Sequence, residues 1–302
     1  MAHDKDWAVV EADEYDRSFL QLYPDIAVIS AIEADHLDIY GTYENLQHAF
    51  HKFVKQISPG GKLVLHNQLN QIFSECGDLN CYTYHLNDNK ADFYAANIRR
   101  KSTGYIYNIH GPQGLLAKDV EPQWAFRTGI ENAVAAAAAA WLAGVPEKYI
   151  GKAIAGFKGI WRRFDMHINR PGLAYIDDYA HHPREIEVTI DSLRELFPGR
   201  HVTGVFQPHL YSRTRDFAPD FADALNKLDE LILLPIYPAR EEPIEGVDAG
   251  LIAREMKIPC RIAEKTELMH ALKDIKPDVL ITMGAGDIDQ YVNDIKNWIL
   301  GY

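Results

Sequence analysis

Asp177-Asp178-Tyr179-Ala180-His181-His182-Pro183-Arg184 packs two carboxylates, a phenol, two imidazoles and a guanidinium into eight consecutive positions. Such groups can move protons, bind a metal or hold a phosphate. Ala174–Ile176 before the run reads as a short buried strand, and the sequence from Glu185 onward reads as an amphipathic helix. The run therefore occupies a strand-to-helix turn, and loops at the carboxyl ends of parallel strands are where open sheets bind ligands. Pro183 is preorganised for a helix start, and the free amides beyond it favour an anion. A capped helix with solvated charges would explain any one of these residues, but it explains the whole run less well. Trp161-Arg162-Arg163-Phe164, a little upstream, adds two cations.

Three other stretches carry chemistry. Gln207-Pro208-His209-Leu210-Tyr211-Ser212-Arg213-Thr214-Arg215-Asp216 follows an apolar strand and gathers His209, Arg213 and Arg215 in an acidic protein. Arginine's planar fork matches a carboxylate or phosphate with two parallel hydrogen bonds. The plainer alternative is ion pairing with Asp216 or Asp220. Near the start, Trp7–Val10 reads as a strand running into Glu11-Ala12-Asp13-Glu14-Tyr15-Asp16. Ile26–Ile32 reads as a second strand that ends in Glu33-Ala34-Asp35-His36-Leu37-Asp38. If these strands are parallel neighbours, both acidic loops share one rim, and their oxygens suit Mg²⁺ beside substrate phosphates; the alternative is a pair of solvated loops. A metallohydrolase built on Asp35, His36 and Asp38 lacks a second histidine at ligand spacing.

The elements that must position these groups follow an α/β pattern. Tyr43–Ile57 places Leu46, Phe50, Phe53, Val54 and Ile57 on one helical face, Pro59-Gly60-Gly61 ends it, and Lys62–Leu65 resumes as a strand. Cys81 to His110 turns to β, and its tyrosines and phenylalanines read as core and sheet-face residues. Ala133–Gly144, nearly pure alanine, reads as a closely packed helix capped by Asn132. Beyond Gly159 strands and helices alternate: Ala174–Ile176, Val202–Phe206, Glu230–Ile236 and Val279–Met283, with a final helix to Trp298. This predicts a doubly wound parallel sheet. Gly284-Ala285-Gly286 is too short a glycine pattern to argue for a dinucleotide. The domain boundary is placed near Gly159, giving domains 1–159 and 160–302.

Bulk properties agree with this picture. The chain has 302 residues, is 47% hydrophobic and 25% charged, and can hold two ordinary globular domains. A net charge of −12 argues against nucleic acid as the main partner. No apolar run approaches a membrane span, and Met1–Asp6 is not patterned as a signal peptide. Cys76, Cys81 and Cys260 form no C-x-x-C pair, which argues against a thiolate zinc site or a disulfide framework and suits a reducing cytoplasm.

Glu11-Ala-Asp-Glu, Ile32-Glu-Ala-Asp-His36-Leu-Asp, Arg162-Arg163-Phe164, Asp177-Asp178-Tyr179-Ala180-His181-His182-Pro183 and Phe206-Gln-Pro-His209 together resemble the Mur ligases of bacterial cell-wall synthesis. The resemblance covers essentially the whole chain, and the Asp-Asp-Tyr-Ala-His-His-Pro run is specific to one branch of the family. It implies a partial central ATPase domain followed by a Rossmann-like, doubly wound C-terminal domain that receives the amino acid. It also implies ATP and Mg²⁺, and UDP-N-acetylmuramate and L-alanine as small-molecule substrates, joined through an acyl phosphate in the cytoplasm. Glu11 and His36 would hold or face magnesium. Asn132, Arg163, Asp178, His181 and His182 would serve the nucleotide, with Arg163 and Asp178 also catalytic. His209, Arg213 and Arg215 would receive the amino acid.

The chain departs from the family pattern in places. Gly129 stands where a first asparagine is usual and Ala31 where another is, and His51 with Lys52 stands near the carbamylated lysine of sister ligases, a role left unassigned. No Gly-x-x-Gly-Lys-Thr phosphate loop occurs in the sequence. The chain is therefore expected to begin inside the central domain, and alone neither to ligate nor to hydrolyse ATP. A ligase for a recycled tripeptide is the nearest alternative. A binding module without its phosphate loop is the alternative outside enzymes.

Overall fold

The computed structural model describes residues 7–33, 37–73, 79–101, 104–122 and 126–301, with only the backbone of 37 and 38. The chain folds as two compact units, 1–157 and 158–302. Among the described residues, no helix is long and apolar enough to cross a membrane.

The first unit holds a sheet of β1 (Ile26–Ile29), β2 (Lys62–His66), β3 (Asn80–His85), β4 (Phe93–Lys101), β5 (Gly104–Gly111) and β6 (Gly114–Val120), in that order. β1 to β4 run parallel, and β4 to β6 form an antiparallel meander. α1 (Leu37–Tyr40) leads into α2 (Tyr43–Lys55), which Thr42 caps by accepting from the Asn45 amide. The predicted apolar face of α2 is buried: Leu46 and Phe53 pack with Phe19, Ile29, Leu63 and Leu65. α3 (Arg127–Leu142) buries Ile130, Val134, Ala137 and Ala138, and its alanines let it lie close to the sheet. α4 (Glu147–Ala155) follows.

Three expectations fail here. Trp7–Val10 forms no strand, and Val9 is fully exposed. The run is apolar, but no described strand pairs with it. Asn132 does not cap α3, because the helix begins at Arg127 after an extended Phe126; alanine-rich propensity extends the helix upstream past Gly129. Cys81 is disulfide-bonded, contrary to the reduced state expected, while Cys260 is free.

The second unit contains β7 (Asp165–Arg170), β8 (Leu173–Asp178), α5 (Pro183–Leu196), β9 (Val202–Phe206), α6 (Tyr211–Leu225), β10 (Glu230–Leu233), α7 (Gly250–Ala253), β11 (Cys260–Ile262), α8 (Leu268–Lys273), β12 (Val279–Met283) and α9 (Val292–Leu300). Its sheet order is β11-β10-β9-β12-β8-β7, parallel except for the edge strand β7. β9 and β12 are buried at every position, as central strands covered on both faces must be. One face is filled by Tyr175, Val205, Ile232, Leu268, Leu280, Ile288 and Ile295; burying each such side chain contributes roughly 1.5–3 kcal/mol. β8 and β9 are consecutive in the chain, yet β12 lies between them. This reversal of strand order opens a crevice at the strands' carboxyl ends. Turns 179–182, 207–210 and 284–287 meet there.

Candidate functional site

At that crevice the two adjacent arginines point opposite ways. Arg162 is 5% exposed. Its Nε donates to Asp177 Oδ2 at 3.0 Å, Nη1 donates to the Gly286 carbonyl at 3.3 Å, and Nη2 donates to the Gly284 carbonyl. Asp177 also accepts from Thr282 Oγ1 at 2.6 Å. Burial raises its pKa against the pull of Thr282 and Arg162. Arg163 is exposed, and its guanidinium stands 5.2 Å from the centre of the Tyr179 ring. The opposition comes from the backbone, since Arg162 and Phe164 both take left-handed φ values, 58° and 49°. For residues with side chains that geometry needs compensation. Asp178 provides it: Oδ2 accepts from the Phe164 amide and Oδ1 from the Ala180 amide, each at 2.7 Å. Burial pushes the Asp178 carboxyl up to about 6, opposed by the Ala180 and Phe164 amides.

The start of α5 is capped by its own side chains. The amides of His181 and His182 donate to Glu185 Oε2 at 2.9 and 3.2 Å. These amides precede Pro183, and Glu185 at the third helical position closes a capping box with His182. His181 Nδ1 lies 3.0 Å from the Tyr179 carbonyl.

The turn after β9 carries the least satisfied polar groups of the crevice. His209 lies edge-on to His181 and near-parallel to Tyr237, both at 5.8 Å between ring centres. Burial first, then His181 and Arg213, hold its pKa down to about 4, so the ring is neutral near pH 7. His209 Nδ1 and Arg213 Nη1 are buried without hydrogen-bond partners among the described residues. Buried polar groups in folded proteins are rarely left so, and each instance calls for an explanation. Arg215 is not part of this cluster: it is exposed and pairs with Asp216 at 2.7 and 3.1 Å.

Beside these groups lies a cleft of about 500 Å³, lined by Trp161, Arg163, Tyr179, Tyr237 and the 285–290 turn. Sequence reasoning missed Tyr237, which follows a strand without any motif. It also missed Gln207, which is fully buried, donates to Asp287 Oδ1 at 2.8 Å and accepts from the Ile288 amide at 3.0 Å. The short glycine pattern was a usable signal, since at Gly286 a Cβ would stand 2.7 Å from Tyr237 Cβ and Cγ.

In the first unit Glu11 is exposed, and His36 lies outside the described residues. Because Trp7–Val10 forms no strand, the rim expected from two neighbouring strand ends is not formed among the described residues. Asn132 is exposed on α3, while Glu131 beside it accepts from His66 Nε2 and the Leu86 amide, both at 3.0 Å. One ligand atom from each of His66, His85 and Glu131 falls within 4.8 Å of the others. However, His85 Nδ1 already accepts from the Asn87 and Asp88 amides, which makes the group a satisfied hydrogen-bond network. His51 contacts the Gln47 and Ile72 carbonyls at 2.8 and 3.1 Å, a structural tie, and Lys52 beside it is exposed.

Comparison with known proteins adds to this geometry. Residues 1–140 match the Mur ligase middle domain, and residues 162–286 match the Mur ligase, glutamate ligase domain. The UDP-N-acetylmuramate–L-alanine ligase of Parabacteroides distasonis is 46% identical over 297 residues, 98% of this chain and 64% of the relative. The ligase of the same name from Porphyromonas gingivalis is 42% identical over 301 residues, 99% of this chain and 66% of the relative. The chain thus spans just under two thirds of the length of these relatives. Among solved structures, the UDP-N-acetylmuramate-alanine ligase of Thermotoga maritima superposes with a TM-score of 0.74 at 20% identity, covering 96% of this chain and 63% of that one. A murein peptide ligase from Psychrobacter arcticus superposes with a TM-score of 0.63 at 19% identity, covering 94% of this chain and 59% of that one. At such identities these two likenesses concern the fold alone.

Proposed function

The chain belongs to the Mur ligase family, and from that premise we propose that it is the larger part of an ATP-dependent ligase joining L-alanine to UDP-N-acetylmuramate in peptidoglycan precursor synthesis in the cytoplasm. The observation that carries the proposal is the pair of buried nitrogens without partners, His209 Nδ1 and Arg213 Nη1, at the carboxyl ends of the second unit's strands. A free amino acid's carboxylate satisfies both. Its charge offsets the Arg213 guanidinium, and a neutral His209 imidazole adds a hydrogen bond without a second cation.

Residues 1–159 are assigned as the ATP-binding part and residues 160–302 as the amino-acid-binding part. Magnesium ATP, when bound, supplies the phosphoryl group that turns the sugar's carboxylate into an acyl phosphate, which the alanine amine can then attack. Glu11 and His36 are assigned to the metal, carboxylate oxygen being the donor that Mg²⁺ prefers. Asn132, exposed on α3, is assigned to the nucleotide. Arg163 neutralises charge on the transferring phosphoryl group, and Asp178 serves it by fixing the kink that turns Arg163 outward. His181 lines the amino-acid seat through His209, and His182 and Arg215 are kept as outer contacts of nucleotide and substrate.

Supplying the remaining third of a relative's chain, fused or as a separate segment, and following phosphate release tests this. Release should require ATP, UDP-N-acetylmuramate and L-alanine together. Release independent of L-alanine would reject the ligase assignment.

A further inference from the structure

A peptide differs from its first amino acid at one place, the α-carboxylate, which becomes an amide leading onward. Whether a ligase of this kind accepts an amino acid or a peptide therefore depends on what stands behind its carboxylate seat. In this protein Tyr237 stands there. Its ring lies along His209, tilted by 20°, and the same ring lines the 500 Å³ cleft. Tyr237 thus borders both His209 of the seat and a space large enough for further residues of a peptide.

The wall is built to stay in place. The Tyr237 amide donates to the Pro208 carbonyl at 2.8 Å, and its own carbonyl accepts from the Leu210 amide at 2.9 Å. These bonds tie it to the backbone on either side of His209, where Leu210 takes φ 70° and ψ 135°, a conformation that leucine rarely adopts. The absence of a side chain at Gly286 lets Tyr237 approach the turn after β12. Lys265 Nζ lies 5.7 Å from the ring centre and is fixed by Asp287 at 2.7 and 2.8 Å, which Gln207 holds in turn.

We propose that Tyr237 determines acceptor specificity: it closes the far side of the His209–Arg213 seat, so that the acceptor must end in a free α-carboxylate, and removing the ring joins the seat to the cleft and admits a peptide. Arg213 rewards the charge of a free carboxylate, and Tyr237 blocks the atoms that would replace it. Specificity here comes from exclusion as well as attraction. The inference rests on the assignment of His209 and Arg213 to the amino acid's carboxylate.

The test uses the 302-residue chain with L-alanine and L-alanyl-D-glutamate as probes, binding being read by saturation-transfer difference NMR at millimolar ligand. The native chain should show transfer to L-alanine and little to the dipeptide. Tyr237→Ala should strengthen dipeptide binding by at least about tenfold, the scale on which a pocket discriminates by shape. Tyr237→Phe, which keeps the ring, should preserve the native preference, and circular dichroism should show all variants folded. Native preference in folded Tyr237→Ala, no transfer from it to either probe, or dipeptide bound as well as L-alanine by the native chain would each overturn the proposal. Arg213→Gln separates the two levels. If it binds L-alanine as the native chain does, the carboxylate seat itself is wrong. If it loses L-alanine while Tyr237→Ala gains no dipeptide, only the wall is wrong.

Discussion

Arg162 and Asp177 form a buried ion pair, Nε to Oδ2 at 3.0 Å, whereas the next residues in the chain, Arg163 and Asp178, do not pair with each other by hydrogen bond. Asp178 instead spends both oxygens on backbone amides, which leaves Arg163 on the surface. The Arg-Arg pair thus divides into a buried residue and an exposed one, whereas both aspartates are buried and hold this turn, Asp177 through Arg162 and Asp178 through the backbone.

This division is measurable. Asp177→Ala leaves the Arg162 guanidinium buried without its counter-charge and should cost about 3–5 kcal/mol of stability. Arg163→Ala should stay within about 0.5 kcal/mol of the native chain, as exposed substitutions do. In the completed ligase, however, Arg163→Ala should lower turnover by about 10²–10³, the usual loss for one transition-state contact. Urea unfolding and phosphate release read the two effects separately. A destabilised Arg163→Ala with full turnover would exchange the roles.

The pH dependence of the second unit contains two opposed trends. His209 has its folded pKa depressed to about 4 from an ordinary 6.5. The folded state therefore resists protonation, and stability present above 6.5 is lost as pH falls toward 4. Asp178 works the other way: its folded pKa of about 6 lies above the ordinary 3.8, so its contribution is present in acid and is lost as pH rises through 6. Comparing native and His209→Gln stability between pH 4 and 6.5 isolates the histidine. The native chain should lose more stability on acidification than the variant, and the His209 ring resonances should titrate well below pH 6.

Much of this organisation was legible in the sequence, for reasons specific to each element. β9 and β12 match their predicted bounds because a fully buried parallel strand is an unbroken apolar run. The turn carrying His209 and Arg213 was placed at a strand's carboxyl end, but the contact of His209 with His181 was not foreseen, and Arg215 lies outside the cluster. β7 was not foreseen, since an edge strand of mixed polarity, Asp165–Arg170, carries no run to find. Trp7–Val10 misled for the converse reason: apolar composition predicts a strand, but a strand exists only with a partner. Nor can composition distinguish Arg162 from Arg163, because their difference lies in two left-handed φ values, at Arg162 and Phe164, held by tertiary contacts such as those of Asp177 and Asp178.

Gly286→Ala tests how tightly the Tyr237 wall is set. Its Cβ would meet Gln207 Oε1 and stand 2.7 Å from Tyr237 Cβ and Cγ, closer than real side chains approach. Overpacking of this kind costs about 1–3 kcal/mol. The strain should move Tyr237 or Gln207, so a lower melting temperature should accompany weaker L-alanine binding in the NMR assay. A variant with native melting and native binding would mean that the turn yields freely and the wall is not rigid.

Glu131 and Asn132 offer the matching test in the first unit, since they are adjacent on α3 and face different surroundings. Glu131 joins three elements: from α3 it accepts from His66 at the end of β2 and from the Leu86 amide just past β3. Glu131→Ala leaves those donors unpaired in a half-buried place and should cost about 1–3 kcal/mol. Glu131→Gln keeps an acceptor oxygen and should recover much of that loss. Asn132 is exposed, so Asn132→Ala should not lower stability, and alanine is the better helix former. Its effect should appear only as a raised apparent KM for ATP in the completed ligase, with the KM for L-alanine unchanged. A shift in both constants, or in neither, would remove Asn132 from the nucleotide site and leave Glu131 as the residue that explains why this turn of α3 is polar.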